Sequence, residues 1–208
     1  MLTVRADFEK RCDEIKVYLE WLAEMEKSTW DIPGGLPSTM KAAAMLLLYN
    51  LVESTMTNAV EAVFDELQQR KVSFDLLSPE FKSAVLGNVR NCAADKLTPK
   101  LVAITTDIIS SSFDKAKVFN GNVDSKKIRD TLKDFGVRKT HAYDEERLHD
   151  IMVARNRLAH GAESFGDYGK DLTAPQLLED YERVKGLLTY ALNDFESYIG
   201  QRHYLGVT

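Results

Sequence analysis

Ala42-Ala43-Ala44-Met45-Leu46-Leu47-Leu48-Tyr49-Asn50-Leu51 is the stretch on which the fold turns. It is apolar as far as Tyr49, is broken by Asn50 and Glu53, and is too short to cross a bilayer. From there Asn50, Glu53, Thr57, Asn58 and Glu61 fall at offsets 0, 3, 7, 8 and 11, which keep to one side of a helix. The run therefore reads as part of a long helix that Ser38 caps through its side-chain oxygen and that reaches about Arg70. Its polar stripe is either the wet side of an amphipathic helix or a partly buried row of groups beside another helix. The uniform apolarity of Ala42 to Leu51 favours partial burial.

Helical spacing continues in both directions, and no run alternates with the period of two that marks a strand. A first helix is expected from about Thr3 to Lys27, with Phe8, Ile15, Tyr18, Leu19 and Leu22 inward. Pro33-Gly34-Gly35 and Pro37 force a loop after it. Ser78-Pro79-Glu80 and Thr98-Pro99 each put a capping hydroxyl before a proline, which predicts helices over Pro79–Ala94 and Pro99–Phe113. Asn120-Gly121-Asn122 marks a turn, and Asp124 or Asn122 caps a short helix ending at Phe135-Gly136. Asp144 opens a helix that stops at His160-Gly161. A loop containing Gly166 and Gly169 then leads to Thr173, the cap of a last helix from about Ala174 to His203. No Pro-, Gly- or Ser-rich linker interrupts residues 1–208. The expectation is an all-α, single-domain helical bundle with long N-terminal, second and C-terminal helices and shorter accessory ones.

At 44% hydrophobic and 28% charged residues, the chain has the makeup of a globular protein with a substantial core. Arg5, Asp7, Glu9 and Lys10 interrupt any N-terminal signal peptide, so the chain reads as soluble, unexported and cytoplasmic. Cys12 and Cys92 stand far apart, outside any metal-ligand spacing, and read as idle thiols in a reducing compartment; no metal or cofactor is expected. The net charge of −5 argues against a surface coated for duplex binding. The average conceals a basic segment, because residues 115–139 hold eight Lys and Arg against three Asp. Such a segment suits a focused polyanion site and equally a solvated helix face.

Chemistry concentrates in Ala154-Arg155-Asn156-Arg157-Leu158-Ala159-His160-Gly161. Asn156 and His160, four residues apart, share a helix face; Arg155 and Arg157 flank it, and Gly161 lets the chain leave in a left-handed turn. An imidazole can take the proton of a 2′-hydroxyl or give one to a departing 5′-oxygen. A guanidinium offers several donors to phosphate oxygens as charge builds. The same residue types near a helix C-terminus also serve simply to satisfy its last carbonyls.

Arg155-Asn156 followed by three residues and His160 resembles the Arg-Asn-x-x-x-His signature of the HEPN (higher eukaryote and prokaryote nucleotide-binding) superfamily. Tyr49-Asn50-Leu51-Val52-Glu53-Ser54, Phe119-Asn120-Gly121-Asn122-Val123-Asp124, and Leu158-Ala159-His160-Gly161 running on to Phe165 resemble its MAE-type branch. The resemblance implies a helical bundle, commonly paired so that two motifs face one another across a symmetric interface. Many members are metal-independent endoribonucleases that leave a 2′,3′-cyclic phosphate, often in toxin–antitoxin or antiviral systems. Others have lost catalysis and bind nucleotide, RNA or a partner protein. Carried over, Arg155 and His160 are the essential pair and Asn156 their polar neighbour. Implied partners are single-stranded or loop RNA, a second copy of the chain, and an antitoxin or other protein encoded nearby.

Further residues are expected in support. Asn50, Glu53 or Asn58 would orient the motif, with a Glu53–Arg155 ion pair as the specific expectation, and Arg157 would stand at its edge. Lys126, Lys127 and Arg129 would guide an RNA backbone, and Phe165 and Tyr168 would stack on a base or pin a loop. His149 shares a face with His160 about three turns away, too far for a common metal, and reads as a surface residue, as do His141 and His203. Arg90-Asn91-Cys92-Ala93-Ala94-Asp95 begins like the motif but has Asp where the titrating base should stand.

Overall fold

Apolar residues three and four apart decide the first helix, α1 (Leu2–Lys27), whose inner face is Val4, Phe8, Cys12, Ile15, Leu19, Leu22 and Met25. The structure is a computed structural model that describes residues 1–29, 31–90, 107–115, 118–119, 123–141 and 145–206. The expected caps Thr98, Asn122 and Asp144, the turn at Asn120-Gly121-Asn122, Cys92 and the start of the helix placed at Pro99 lie outside the described residues. Residues 107–112, near that helix's expected end, are helical.

The long second helix, α2 (Leu36–Gln69), begins two residues before Ser38. Its N-cap is Gly35, at φ +83° and without a side-chain cap, rather than the expected Ser38. The turn closed by the Leu36 N–H on the Pro33 carbonyl starts the helix early. Pro37 is tolerated because an amide in the first turn has no partner to lose.

Next come α3 (Pro79–Arg90), α4 (Ser125–Asp134) and α5 (Glu145–Ala159). The Ser78 hydroxyl accepts from the Phe81 amide at 3.3 Å, which is the expected cap. Between the two residues offered for α4, the cap is Asp124, whose side chain accepts from the Lys127 amide at 2.7 Å. The segment with Gly166 and Gly169 is a short helix rather than the expected loop: α6 (Phe165–Gly169), capped by Ser164. The last helix, α7 (Ala174–Gly200), opens with a full Thr173/Gln176 capping box and ends before the expected His203, at a left-handed Arg202 (φ +55°).

The fold is an all-α bundle; among the described residues the extended pairing is limited to an isolated bridge between Leu77 and Leu205. The helix at its centre is α2, touching α1, α5, α6 and α7. Leu48, Tyr49, Leu51, Val52, Met56 and Ala59 are all at most 1% exposed, so α2 is buried over most of its circumference. Against this axis α6 is pressed so closely that a Cβ on Gly169 would stand 1.8 Å from the Ser38 carbonyl oxygen. At the other end Phe64, Phe81, Phe113 and Phe135 form an aromatic cluster joining α2, α3 and α4. No helix among the described residues is long and apolar enough to cross a membrane.

Candidate functional site

The motif's geometry follows from how α5 is buried. Leu148, Ile151, Ala154 and Leu158 form its core stripe, which leaves Arg155 and Asn156 half-buried and His160 exposed. The helix ends in a left-handed motif. Gly161, at φ +68°, donates to the Leu158 carbonyl at 3.3 Å, and Ala162 reaches back to the Arg157 carbonyl at 2.9 Å. His160 is thus the cap residue, still bound to the helix through its amide on the Asn156 carbonyl at 3.1 Å.

Arg155 turns toward α2. Its Nη1 donates to Asn156 Oδ1 at 2.9 Å, and its guanidinium lies over the Tyr49 ring, 5.2 Å from the centroid. Tyr49 is 1% exposed, and its hydroxyl accepts from the Val123 amide at 3.1 Å, immediately before the cap of α4. Burial pushes the Tyr49 hydroxyl above the ordinary tyrosine range. The Glu53 carboxylate adds to that rise, while the Val123 hydrogen bond and the Arg155 charge oppose it. Glu53 and Arg155 therefore both bear on Tyr49. Among the described residues the ion pairs do not include the expected Glu53–Arg155 contact, and the guanidinium takes Asn156 and the ring instead.

Arg157 turns the other way, pairing with Glu163 at 2.8 Å and lying 5.8 Å from the Tyr168 ring centroid. Tyr168 and Phe165, on α6, are half-buried. Below them Arg147 forks onto the buried Asp180 of α7 and also reaches Asp150 at 3.2 Å, tying the motif helix to the last helix.

The remaining expected residues are dispersed. Asn50 is exposed on α2. Asn58 lies about one and a half turns beyond Glu53, donating to Asp7 of α1 at 3.4 Å and accepting from Lys115 at 3.0 Å. On α4, Lys126 and Lys127 are exposed and Arg129 is half-buried. Lys127 rims an open cleft between α3 and α4, floored by Phe113 and Phe135, that includes no motif residue. His149 is exposed, while His141 is stacked on Tyr190 with ring centroids 3.8 Å apart. Among the described residues no three His, Cys, Asp or Glu side chains gather as a metal site.

Sequence reasoning named neither Tyr49 nor Arg147 as a site residue. Tyr49 carried a signal, being the one polar-tipped side chain inside the apolar run before Asn50. Asp180 carried another: it shares the core face of α7 with Leu177, Tyr181 and Val184, and a carboxylate there requires a cation.

The chain is thus a helical bundle in which one helix ends in a half-buried arginine, an amide and an exposed histidine. A family model described as MAE_28990-like HEPN matches residues 3–204, and the chain belongs to that family, within the MAE-type branch of the superfamily. It is accordingly a nucleotide- or RNA-related module. No curated protein and no solved structure matches the chain.

Proposed function

We propose that the protein is a metal-independent endoribonuclease that cuts single-stranded or loop RNA, leaving a 2′,3′-cyclic phosphate, with Arg155, Asn156 and His160 as its catalytic group. The observation that carries this reading is the unequal burial of the motif: the cation is held from below by Tyr49 and Asn156, while His160 stands free at the helix end. A held guanidinium suits charge stabilisation, which depends on donors already in place when charge develops. An accessible imidazole suits proton transfer, which requires reach to the substrate.

The 2′-oxygen attacks the adjacent phosphorus, losing its proton to a base, and the bond to the 5′-oxygen breaks as an acid protonates it. One histidine supplies one of these functions at a time, and the motif lies on an outward surface. A second copy of the chain, set motif to motif, would supply the other histidine and exclude water. Lys126, Lys127 and Arg129 would guide the RNA backbone toward the motif, Phe165 and Tyr168 would receive a base, and Glu53 would balance the charge around Arg155. A role in toxin–antitoxin or antiviral defence, with a neighbouring-gene protein as inhibitor, accords with family membership.

The test is cleavage of mixed RNA in EDTA by the purified protein and by His160→Ala and Arg155→Ala. Each variant is expected to lose at least about 100-fold in rate, the scale of removing a proton-transfer group or an oxyanion donor. RNA bound but uncut by the wild type would make the protein a binding module. Equal cutting by all three samples would overturn the assignment of these residues.

A further inference from the structure

We infer that Tyr49 is a positioning residue for Arg155, its ring acting as the platform that fixes the guanidinium; this rests on the ribonuclease reading above. Three observations converge. The guanidinium lies 5.2 Å from the ring centroid. The Tyr49 side chain, carried on α2, is 1% exposed and packed into the core. The phenol is fixed at its far end by the Val123 amide, 3.1 Å from its oxygen, so both ends of the side chain are held.

The chemistry gives the platform a purpose. A cation resting on a π face keeps its N–H edges in the plane of the guanidinium, free to donate outward. A carboxylate in the same place would draw those edges toward itself and compete with phosphate. On the other side, Asn156 takes Nη1 at 2.9 Å and limits rotation about the remaining bonds. Tyr49 thus holds the arginine without consuming its hydrogen-bonding capacity. Its hydroxyl also joins the motif to the amide that precedes α4, the helix bearing Lys126, Lys127 and Arg129. The two halves of the side chain consequently have separable tasks, the ring serving Arg155 and the hydroxyl serving the approach of the basic helix.

The experiment compares Tyr49→Phe and Tyr49→Leu in two measurements on folded protein. In RNA cleavage, Tyr49→Leu is expected to lower kcat about 10-fold with little change in KM, the scale of one partly desolvated cation–π contact. Tyr49→Phe, which keeps the ring, should leave kcat within about threefold and act mainly on KM. In an Arg155→Ala background, Tyr49→Leu should cost nothing further, because the residue it serves is gone. The second measurement needs no activity: the Arg155 Nε–H proton should show a ring-current shift in wild type and Tyr49→Phe that vanishes in Tyr49→Leu. Should Leu fail to fold, Tyr49→Met replaces it, and the wild-type shift remains readable. A wild-type resonance without that shift, or an undiminished kcat loss in the Arg155→Ala background, overturns the inference. A wild type that cuts no RNA yet shows the ring-current shift refutes the ribonuclease reading and leaves the platform standing.

Discussion

Four helix ends close through the same left-handed turn, and what differs is the residue placed there. Gly136 (φ +74°) and Gly161 (φ +68°) follow α4 and α5, whereas Lys71 (φ +51°) and Arg202 (φ +55°) follow α2 and α7. An L side chain in this region crowds its own carbonyl and costs about 1 kcal/mol relative to glycine. Replacing Lys71 with glycine should therefore raise stability by about 0.5–1 kcal/mol, since the left-handed strain disappears. Gly161→Ala should lower it by about 1 kcal/mol through strain alone, because a Cβ there meets no atom within 4 Å. Urea denaturation of both variants checks the opposed signs; a Lys71→Gly variant less stable than wild type would show that the cation contributes more to the carbonyl end of α2 than its conformation costs. For the proposed function the sensitive position is Gly161, whose turn sets where His160 stands.

At the scale of elements, local chemistry explains what could be read in advance. The Thr173 and Ser78 caps, Asp124 as one of two caps offered, and the inner face of α1 depend on residues within a turn or two of one another, and such signals survive in the sequence. Ser38 did not become the cap because Gly35 begins the helix sooner. The short α6 was illegible because five residues are too few to display a period. Tyr49 under Arg155 and Arg147 on Asp180 join segments distant in the chain, and no spacing rule records such contacts. The packing of α6 on α2 belongs with them. Gly169 looked like loop punctuation, yet a Cβ there would penetrate the Ser38 carbonyl at 1.8 Å and crowd the Ala42 amide at 3.1 Å. Both neighbours are backbone of the central helix and cannot rotate aside. Gly169→Ala should thus destabilise by about 3 kcal/mol, the upper range for overpacking, whereas Gly166→Ala, with only the Ser164 hydroxyl at 4.0 Å, should cost less than about 1 kcal/mol. Thermal unfolding of the pair decides it, and equal Tm values would mean that α6 can lift from α2 freely.

For the whole molecule, the question is what would complete the proposed site, since its residues lie on an outward surface. On α5, Glu146, His149, Asp150, Val153 and Arg157 are exposed opposite the core stripe, as is the cap residue His160. Val153, 37% exposed, shares its outward stripe with Arg157 and His160, at offsets of four and seven residues. An apolar residue among charges on a motif helix is where a second helix gains from burial, and the same contact would bring a second His160 within reach of the first. If the paired reading holds, Val153→Arg should leave Tm nearly unchanged, because that side chain contributes little to the monomer's core. It should nevertheless shift the protein toward monomer by light scattering and lower RNA cleavage at least about 10-fold, since burying an unpaired charge opposes association. The loss should shrink as protein concentration rises, because mass action restores the pair. A wild type that is strictly monomeric and still cuts RNA would require both proton transfers to be served within one chain. His149, some three turns from His160 along the helix, is too distant to act on the same phosphate, which would leave water as the second proton carrier.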